Sequence, residues 1–244
     1  MLLHLGSALL DLVVPLGCAG CARPSVGRAV CERCAAALVG PVHEVRPRPV
    51  PSGLPPVAAV GAYDGVLREL ILAHKEQGRL ALARPLGLAL ARGVAYRVAA
   101  GGAELPGVTL VPVPSQRRST RRRGHDPLLR MAEVAAGSLR SVGVVARVDP
   151  VLRVRRRVAD QAGLGAAERR DNLAGALGVR PGAAARLGLG PVVLVDDILT
   201  TGSTLTEAAR ALRSCEVHLL GAAVICATRR RAEGVDLDAA SPLD

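Results

Sequence analysis

Apolar positions along the 244 residues fall into two kinds of run. Predominantly apolar runs read as strands over residues 57–61, 108–113, Val192–Val195 and Leu219–Ala227, and Val192–Val195 is unbroken and mostly β-branched. A run without alternation suits a strand buried on both faces, as in a parallel sheet covered by helices. Between these runs, apolar residues return at helical spacing. Leu67, Leu70, Ile71 and His74 fall on one side of Gly65–Lys75, residues 80–98 read as a second helix, and the spacing resumes from Leu128 to Leu139. Weaker strands are expected over 150–154 and 174–179. Pro112 and Pro114 stop the strand at 108–113 at the rim of the sheet, because proline cannot donate to a ladder. Strands alternating with helices predict an α/β fold, a parallel sheet flanked by helices.

The segment from Val192 to Thr204 reads VVLVDDILTTGST and carries the most chemistry. Its apolar run stops at Asp196 and Asp197, which cannot sit unpaired in a core and so belong at the carboxyl end of a strand. In open α/β sheets that end is the rim of the ligand crevice. Neighbouring side chains of an extended chain point opposite ways, so the two carboxylates should find different partners. Thr200, Thr201, Gly202, Ser203 and Thr204 then offer hydroxyls, with a backbone free to turn at Gly202. Thr204 to Glu207 has the pattern of a capping box, and Leu205, Ala208, Ala209 and Leu212 continue at helical spacing. Arg210 and Arg213 fall in the last turn, where cations suit the helix dipole. A loop of amides and hydroxyls before a helix is a phosphate cradle. An ordinary strand–helix unit accounts for the strand and the helix but not for the acids.

This segment resembles the ribose-phosphate signature of type I phosphoribosyltransferases. The resemblance implies that Asp196 and Asp197 take the ribose hydroxyls of phosphoribosyl pyrophosphate. It implies that Thr200, Thr201, Gly202, Ser203 and Thr204 wrap its 5-phosphate.

Composition changes the picture in two ways. Half the residues are hydrophobic, but there is no Phe or Trp and only Tyr63 and Tyr96 are aromatic, so the core is built from Leu, Val and Ala. The formal charge is +11, and of 32 basic residues all but Lys75 are Arg. A bias toward Ala, Arg, Gly and Val accounts for most of that excess, which makes the single lysine conspicuous. Basic runs at 117–118, 121–123, 155–157 and 229–231 leave nucleic-acid binding open. Single-strand grips add aromatic platforms, which this chain lacks, so direct nucleic-acid contact is the weaker reading.

Cys18 and Cys21 form one C-x-x-C pair, and Cys31 and Cys34 a second, nine residues on. Two thiolate pairs on tight turns complete a tetrahedral zinc site with no open position, so the metal's role is structural. Cys215 and Cys226 read as small buried hydrophobes. Residues 41–56 hold six prolines, cannot be helical, and read as a linker. The expected organisation is therefore an N-terminal helix and zinc module over 1–40, a proline-rich linker over 41–56, the main domain over 57–230 and a tail over 231–244.

The first residues look somewhat like a signal peptide ending at Cys18. No Lys or Arg precedes the apolar stretch, however, Asp11 interrupts it, and Pro15 stands where a lipoprotein signal has an aliphatic residue. Leu2, Leu5, Leu9, Leu12 and Val13 fit one face of a short packing helix. A cytoplasmic protein without a membrane span is expected.

The blocks in order are the cysteine module, Tyr63-Asp64-Gly65 with Lys75, Val111-Pro112-Val113-Pro114 before Arg123-Gly124, Arg157 and Gln161 with Arg170 and Asn172, and then the acid pair. That order resembles the ComF family of phosphoribosyltransferase-like proteins, over nearly the whole chain from Cys18 to about residue 229. The resemblance implies links to bacterial DNA uptake or DNA transactions, and a protein partner in that machinery. One departure stands out. After Arg-Gly the family carries an aromatic, Asn and Gln, where this chain has His125, Asp126 and Pro127.

The loop after Val113 lies where this fold class binds pyrophosphate. Arg117, Arg118 and Arg123 suit that role because guanidinium groups fork onto phosphate oxygens, and Lys75 is a further candidate. The resulting expectation is an enzyme that binds phosphoribosyl pyrophosphate with Mg²⁺ and passes phosphoribosyl to an acceptor. The alternative is a non-catalytic phosphoribosyl or nucleotide sensor that docks partners through its zinc module. No residue declares itself as a general base.

Overall fold

A computed structural model of the chain describes residues 17–25, 27–102, 107–114, 125–156, 175–188 and 190–228. The expected N-terminal packing helix lies outside them, as do Arg117, Arg118, Arg123, Arg157, Gln161, Arg170 and Asn172.

The strands are β1 (His43–Val45), β2 (Val57–Ala62), β3 (Val108–Pro112), β4 (Ala146–Val148), β5 (Leu152–Val154), β6 (Leu177–Val179), β7 (Val192–Val195), β8 (Ile198–Leu199) and β9 (Leu219–Ala227). The helices are α1 (Glu32–Ala36), α2 (Gly65–Lys75), α3 (Ala83–Ala100), α4 (Pro127–Ser141), α5 (Ala183–Leu187) and α6 (Ser203–Arg213). The main sheet runs β1-β2-β9-β7-β3-β4, with β8 also on β9. β2, β9, β7, β3 and β4 are parallel, which brings the carboxyl ends of β2, β9, β7 and β3 to one rim.

The sheet is mixed rather than all-parallel. Its edge strand β1 comes from the proline-rich stretch and pairs antiparallel with β2, from His43 opposite Ala59 to Val45 opposite Val57. Prolines are tolerated beside it because an edge strand leaves one row of amides unpaired. The two weak strands β5 and β6 do not join the main sheet but pair antiparallel with each other. The helix expected over 80–98 begins as a 3₁₀ turn at Leu80–Leu82 and continues as α3.

The absence of Phe and Trp shows in the packing. Val192 to Val195 and residues 222–226 of β9 are fully buried, as the unbroken runs predicted. α3 lies against α4 at Gly87, where a Cβ would stand 2.6 Å from Val134 Cβ and 2.7 Å from the Met131 carbonyl. It approaches the sheet at Gly93, where a Cβ would stand 3.2 Å from Ala223 Cβ. Small residues thus let the layers close to native density without aromatic filler.

Asp126 explains the departure after Gly124. Its carboxylate accepts the Leu128 and Leu129 amides at 3.0 and 3.2 Å and Pro127 takes the first helical position, so the pair starts α4. Among the described residues no helix is long and apolar enough to cross a membrane.

Candidate functional site

The acid pair interrupts a ladder rather than simply ending it. β7 stops at Val195, Asp196 donates its amide to the Ala223 carbonyl at 3.1 Å, and the Asp197 carbonyl accepts the amides of both Ile225 and Cys226 at 3.1 Å. The Asp197 carbonyl thus spans two amides of β9 with no shift of register, before β8 resumes pairing at Cys226 and Ala227.

The two carboxylates do find different partners. Asp197 is 7% exposed and forms an ion pair with Lys75, Nζ to Oδ2 2.5 Å. Asp196 turns back on the main chain, its Oδ1 accepting the Asp197 amide at 2.9 Å. Burial, and then the charge of Asp197, push the Asp196 carboxyl up to about 8, against the pull of that amide and of Lys75. Burial, and then the charges of Asp197 and Asp64, likewise push the Cys226 thiol up to about 12. Tyr63 joins the same rim, donating its amide to the Ala227 carbonyl at 2.8 Å.

Lys75 arrives at this rim on the last turn of α2, whose buried face is Leu67, Leu70, Ile71, Ala73 and His74. His74 lies with Nδ1 3.2 Å from the Arg79 carbonyl and Nε2 3.3 Å from the Pro127 carbonyl. Burial lowers its basicity, and a neutral ring carries one N–H, so it donates to one of these two carbonyls. Either bond pins the end of α2 beside Lys75.

The hydroxyl loop follows β8. Gly202 precedes α6 with φ +79°, a conformation that favours glycine, and a Cβ there would meet Leu54 at 3.1 Å and Pro47 at 3.3 Å. Thr201 Oγ1 lies 3.0 Å from Ser203 Oγ and accepts the Ser203 amide at 3.4 Å. The first-turn amides of α6 have no intrahelical acceptor and open toward this loop.

The expected capping box is not formed. α6 starts at Ser203, and Glu207, 5% exposed, turns away to accept the Leu177 amide at 3.0 Å and the Arg210 guanidinium at 2.7 and 2.8 Å. It ties β6 to α6 instead of capping the helix.

The structure thus brings Asp196, Asp197, Lys75 and residues 200–204 to one rim, whereas Arg117, Arg118 and Arg123 lie outside the described residues. One contributor was missed. Pro47 and Leu54 of the proline-rich stretch lie against the loop glycine, and Arg213 holds that stretch by donating to the Gly53 carbonyl at 2.7 Å. The only sequence signal was the density of proline, which does not say what it packs on.

At the other end, the ligand atoms of Cys18, Cys21, Cys31 and Cys34 lie within 4.8 Å of one another, with Cys21 and Cys31 sulfurs 3.8 Å apart. A tetrahedral zinc with Zn–S bonds of about 2.3 Å needs sulfurs about 3.8 Å apart, so the cluster fits that ion. The Cys31 and Gly20 amides donate to Cys18 Sγ at 3.2 and 3.4 Å. Burial opposes ionisation of Cys18, but these amide bonds outweigh it and bring the thiol down to about 6. Burial and the neighbouring thiols push Cys34 up. Among the described cysteines none is disulfide-bonded.

No curated protein matches the chain. Residues 190–241, which span β7, the acid pair, the hydroxyl loop, α6 and β9, match the family model of the phosphoribosyl transferase domain, and that match supports a phosphoribosyl-type substrate.

Proposed function

We propose that the chain binds phosphoribosyl pyrophosphate and transfers its phosphoribosyl group to an acceptor with release of pyrophosphate. Asp196 and Asp197 take the ribose hydroxyls, and Thr200, Thr201, Gly202, Ser203 and Thr204 take the 5-phosphate. Lys75, Arg117, Arg118 and Arg123 face the pyrophosphate. One observation carries this reading: an acid pair, Asp197 buried and Asp196 half-buried, leads through a two-residue strand into a glycine-hinged helix start, within the matched segment. Magnesium, bound with the diphosphate, would neutralise charge on the leaving group. The residues contribute chiefly by positioning, since fixing the ribose and both phosphate ends removes much of the entropic barrier to transfer. The cysteine cluster holds a structural zinc.

The test is calorimetric titration with phosphoribosyl pyrophosphate and Mg²⁺, followed by pyrophosphate release over a panel of bases and amines. Binding should vanish in Asp196→Asn/Asp197→Asn while the circular dichroism spectrum persists. Unchanged affinity in that variant overturns the site assignment. Binding without pyrophosphate release for any acceptor overturns transfer and leaves a phosphoribosyl sensor, with the link to DNA uptake then resting on partner capture.

A further inference from the structure

The cysteine module grips the helix that delivers Lys75, and it does so at both ends. A Cβ at Gly20, inside the first C-x-x-C turn, would stand 3.0 Å from Val66 Cγ1 and 3.1 Å from Cys34 Sγ. The turn therefore lies in contact with the first turn of α2. Beyond the other end of α2, Arg79 donates Nη2 to the carbonyl of Gly17, the residue before Cys18, at 3.0 Å. Arg79 is itself joined to the helix end, donating its amide to the Ala73 carbonyl at 3.1 Å and lying with its carbonyl 3.2 Å from His74 Nδ1. Arg92 of α3 adds a third tie, to the Leu38 carbonyl at 3.0 Å. Lys75 stands between the two grips on α2, 2.5 Å from Asp197.

Among its described residues the module has only a small core of its own, and Leu38, with Ala19, Ala29, Val30 and Ala37, packs on the main apolar cluster. Its described residues form one helix of five residues, and its buried side chains are Cys18, Ser25, Cys34 and Leu38. A unit with so small a core draws its folding energy from its metal–thiolate bonds. The sheet, α3 and the buried face of α2 (Leu67, Leu70, Ile71 and Ala73) share a full apolar core that needs no metal, so the module governs α2 only through its contacts at the two ends. Loss of the metal would therefore loosen the module first and release α2 at Val66 and Arg79, while the sheet that holds the acids persists.

We propose that the four-cysteine module sets the ligand preference of the phosphoribosyl rim through α2, by holding Lys75 in reach of the diphosphate end of the ligand. The proposal rests on the phosphoribosyl reading of the rim. With the thiolates closed on a metal, α2 is clamped and Lys75 is pre-positioned. With the thiolates open, Lys75 loses its fixed reach and the diphosphate loses a partner, whereas the 5-phosphate loop is untouched and the ion pair of Asp197 with Lys75 is lost for both ligands alike. Ribose 5-phosphate, which has no diphosphate, is accordingly the internal control.

The experiment compares the zinc-loaded full chain with Cys21→Ser/Cys31→Ser, purified free of zinc, each titrated with phosphoribosyl pyrophosphate and with ribose 5-phosphate in excess Mg²⁺. The zinc-free chain should bind the diphosphate about tenfold more weakly, the loss of one charge-assisted contact. Its affinity for ribose 5-phosphate should change by less than about threefold, since that ligand never uses the contact. Hydrogen exchange of α2 amides should speed up without a change in β7 or β9. Arg79→Ala, which leaves every thiolate in place, should reproduce part of the loss, covering the case in which the cysteine variant fails to fold. In Lys75→Met, removing zinc should have no further effect on the diphosphate. Equal loss for both ligands, or an undiminished zinc effect in Lys75→Met, overturns the coupling while the phosphoribosyl reading stands. Failure of the zinc-loaded chain to bind either ligand overturns that reading, and the coupling with it.

Discussion

Asp196→Asn should stabilise the ligand-free protein while destroying its site. The folded state holds the Asp196 proton up to a pH of about 8, because burial and then the charge of Asp197 disfavour the carboxylate. The unfolded chain releases that proton near pH 4. The sign follows directly: the folded state binds more protons than the unfolded state between these values, so stability falls as pH rises from about 4 to about 8. At about 1.4 kcal/mol per pH unit the penalty reaches about 4 kcal/mol by pH 7. That is a ceiling, since Asp196 keeps some contact with water and relaxation screens the repulsion, and about 1–2 kcal/mol is the working expectation. Asparagine removes the charge and keeps an oxygen to accept the Asp197 amide, so nothing buried loses its partner. Thermal denaturation of wild type and variant at pH 5 and pH 8, without ligand, measures the effect. The variant should gain several degrees over wild type at pH 8 and little at pH 5. A variant less stable than wild type at pH 8, or a gap independent of pH, would refute the electrostatic account.

Three further outcomes follow from the geometry. Gly202→Ala forces a side chain into a left-handed backbone and against Leu54 and Pro47, so it should cost about 1–2 kcal/mol in denaturant unfolding and weaken phosphate binding. Glu207→Ala leaves the buried Leu177 amide and one side of Arg210 without their acceptor, and should cost about 2–3 kcal/mol, seen as a lower denaturation midpoint with an unchanged slope. Protein purified without chelator should carry about one zinc per chain by elemental analysis, lost in Cys18→Ser.

The parallel core of the fold was legible because its strands are buried on both faces and therefore read as unbroken apolar runs. β9 occupies the expected residues, and α2 begins and ends at Gly65 and Lys75 as its periodicity predicted. What escaped were elements whose identity is set by partners. β1 has only three residues, sits among prolines and exists because β2 offers it an edge. Glu207 fits the capping pattern, yet an arginine one turn on and an unpaired amide on β6 outbid the helix end for its carboxylate. At the rim the acids and the hydroxyl loop were readable from one contiguous segment. The reach of Lys75 across 122 residues of sequence to Asp197 was not, because no local rule relates them. The His125-Asp126-Pro127 departure was legible in principle, since an acid before proline is a helix start.

The two-residue break in pairing at Asp196 and Asp197 constrains how this segment can change. Ile198 and Leu199 resume pairing on β9 only because two residues intervene after Val195, and the Asp197 carbonyl spans two amides. Deleting either acid would slide β8 by one residue and exchange the faces that Ile198 and Leu199 present, moving a buried leucine toward the loop. Either carboxylate can be replaced by an amide with the strand pairing kept, though Asp197→Asn gives up the ion pair with Lys75, but neither position can be removed without unpicking the end of the sheet. The spacing of the acid pair is thus dictated by strand register, and the ligand meets a geometry that the sheet has already fixed.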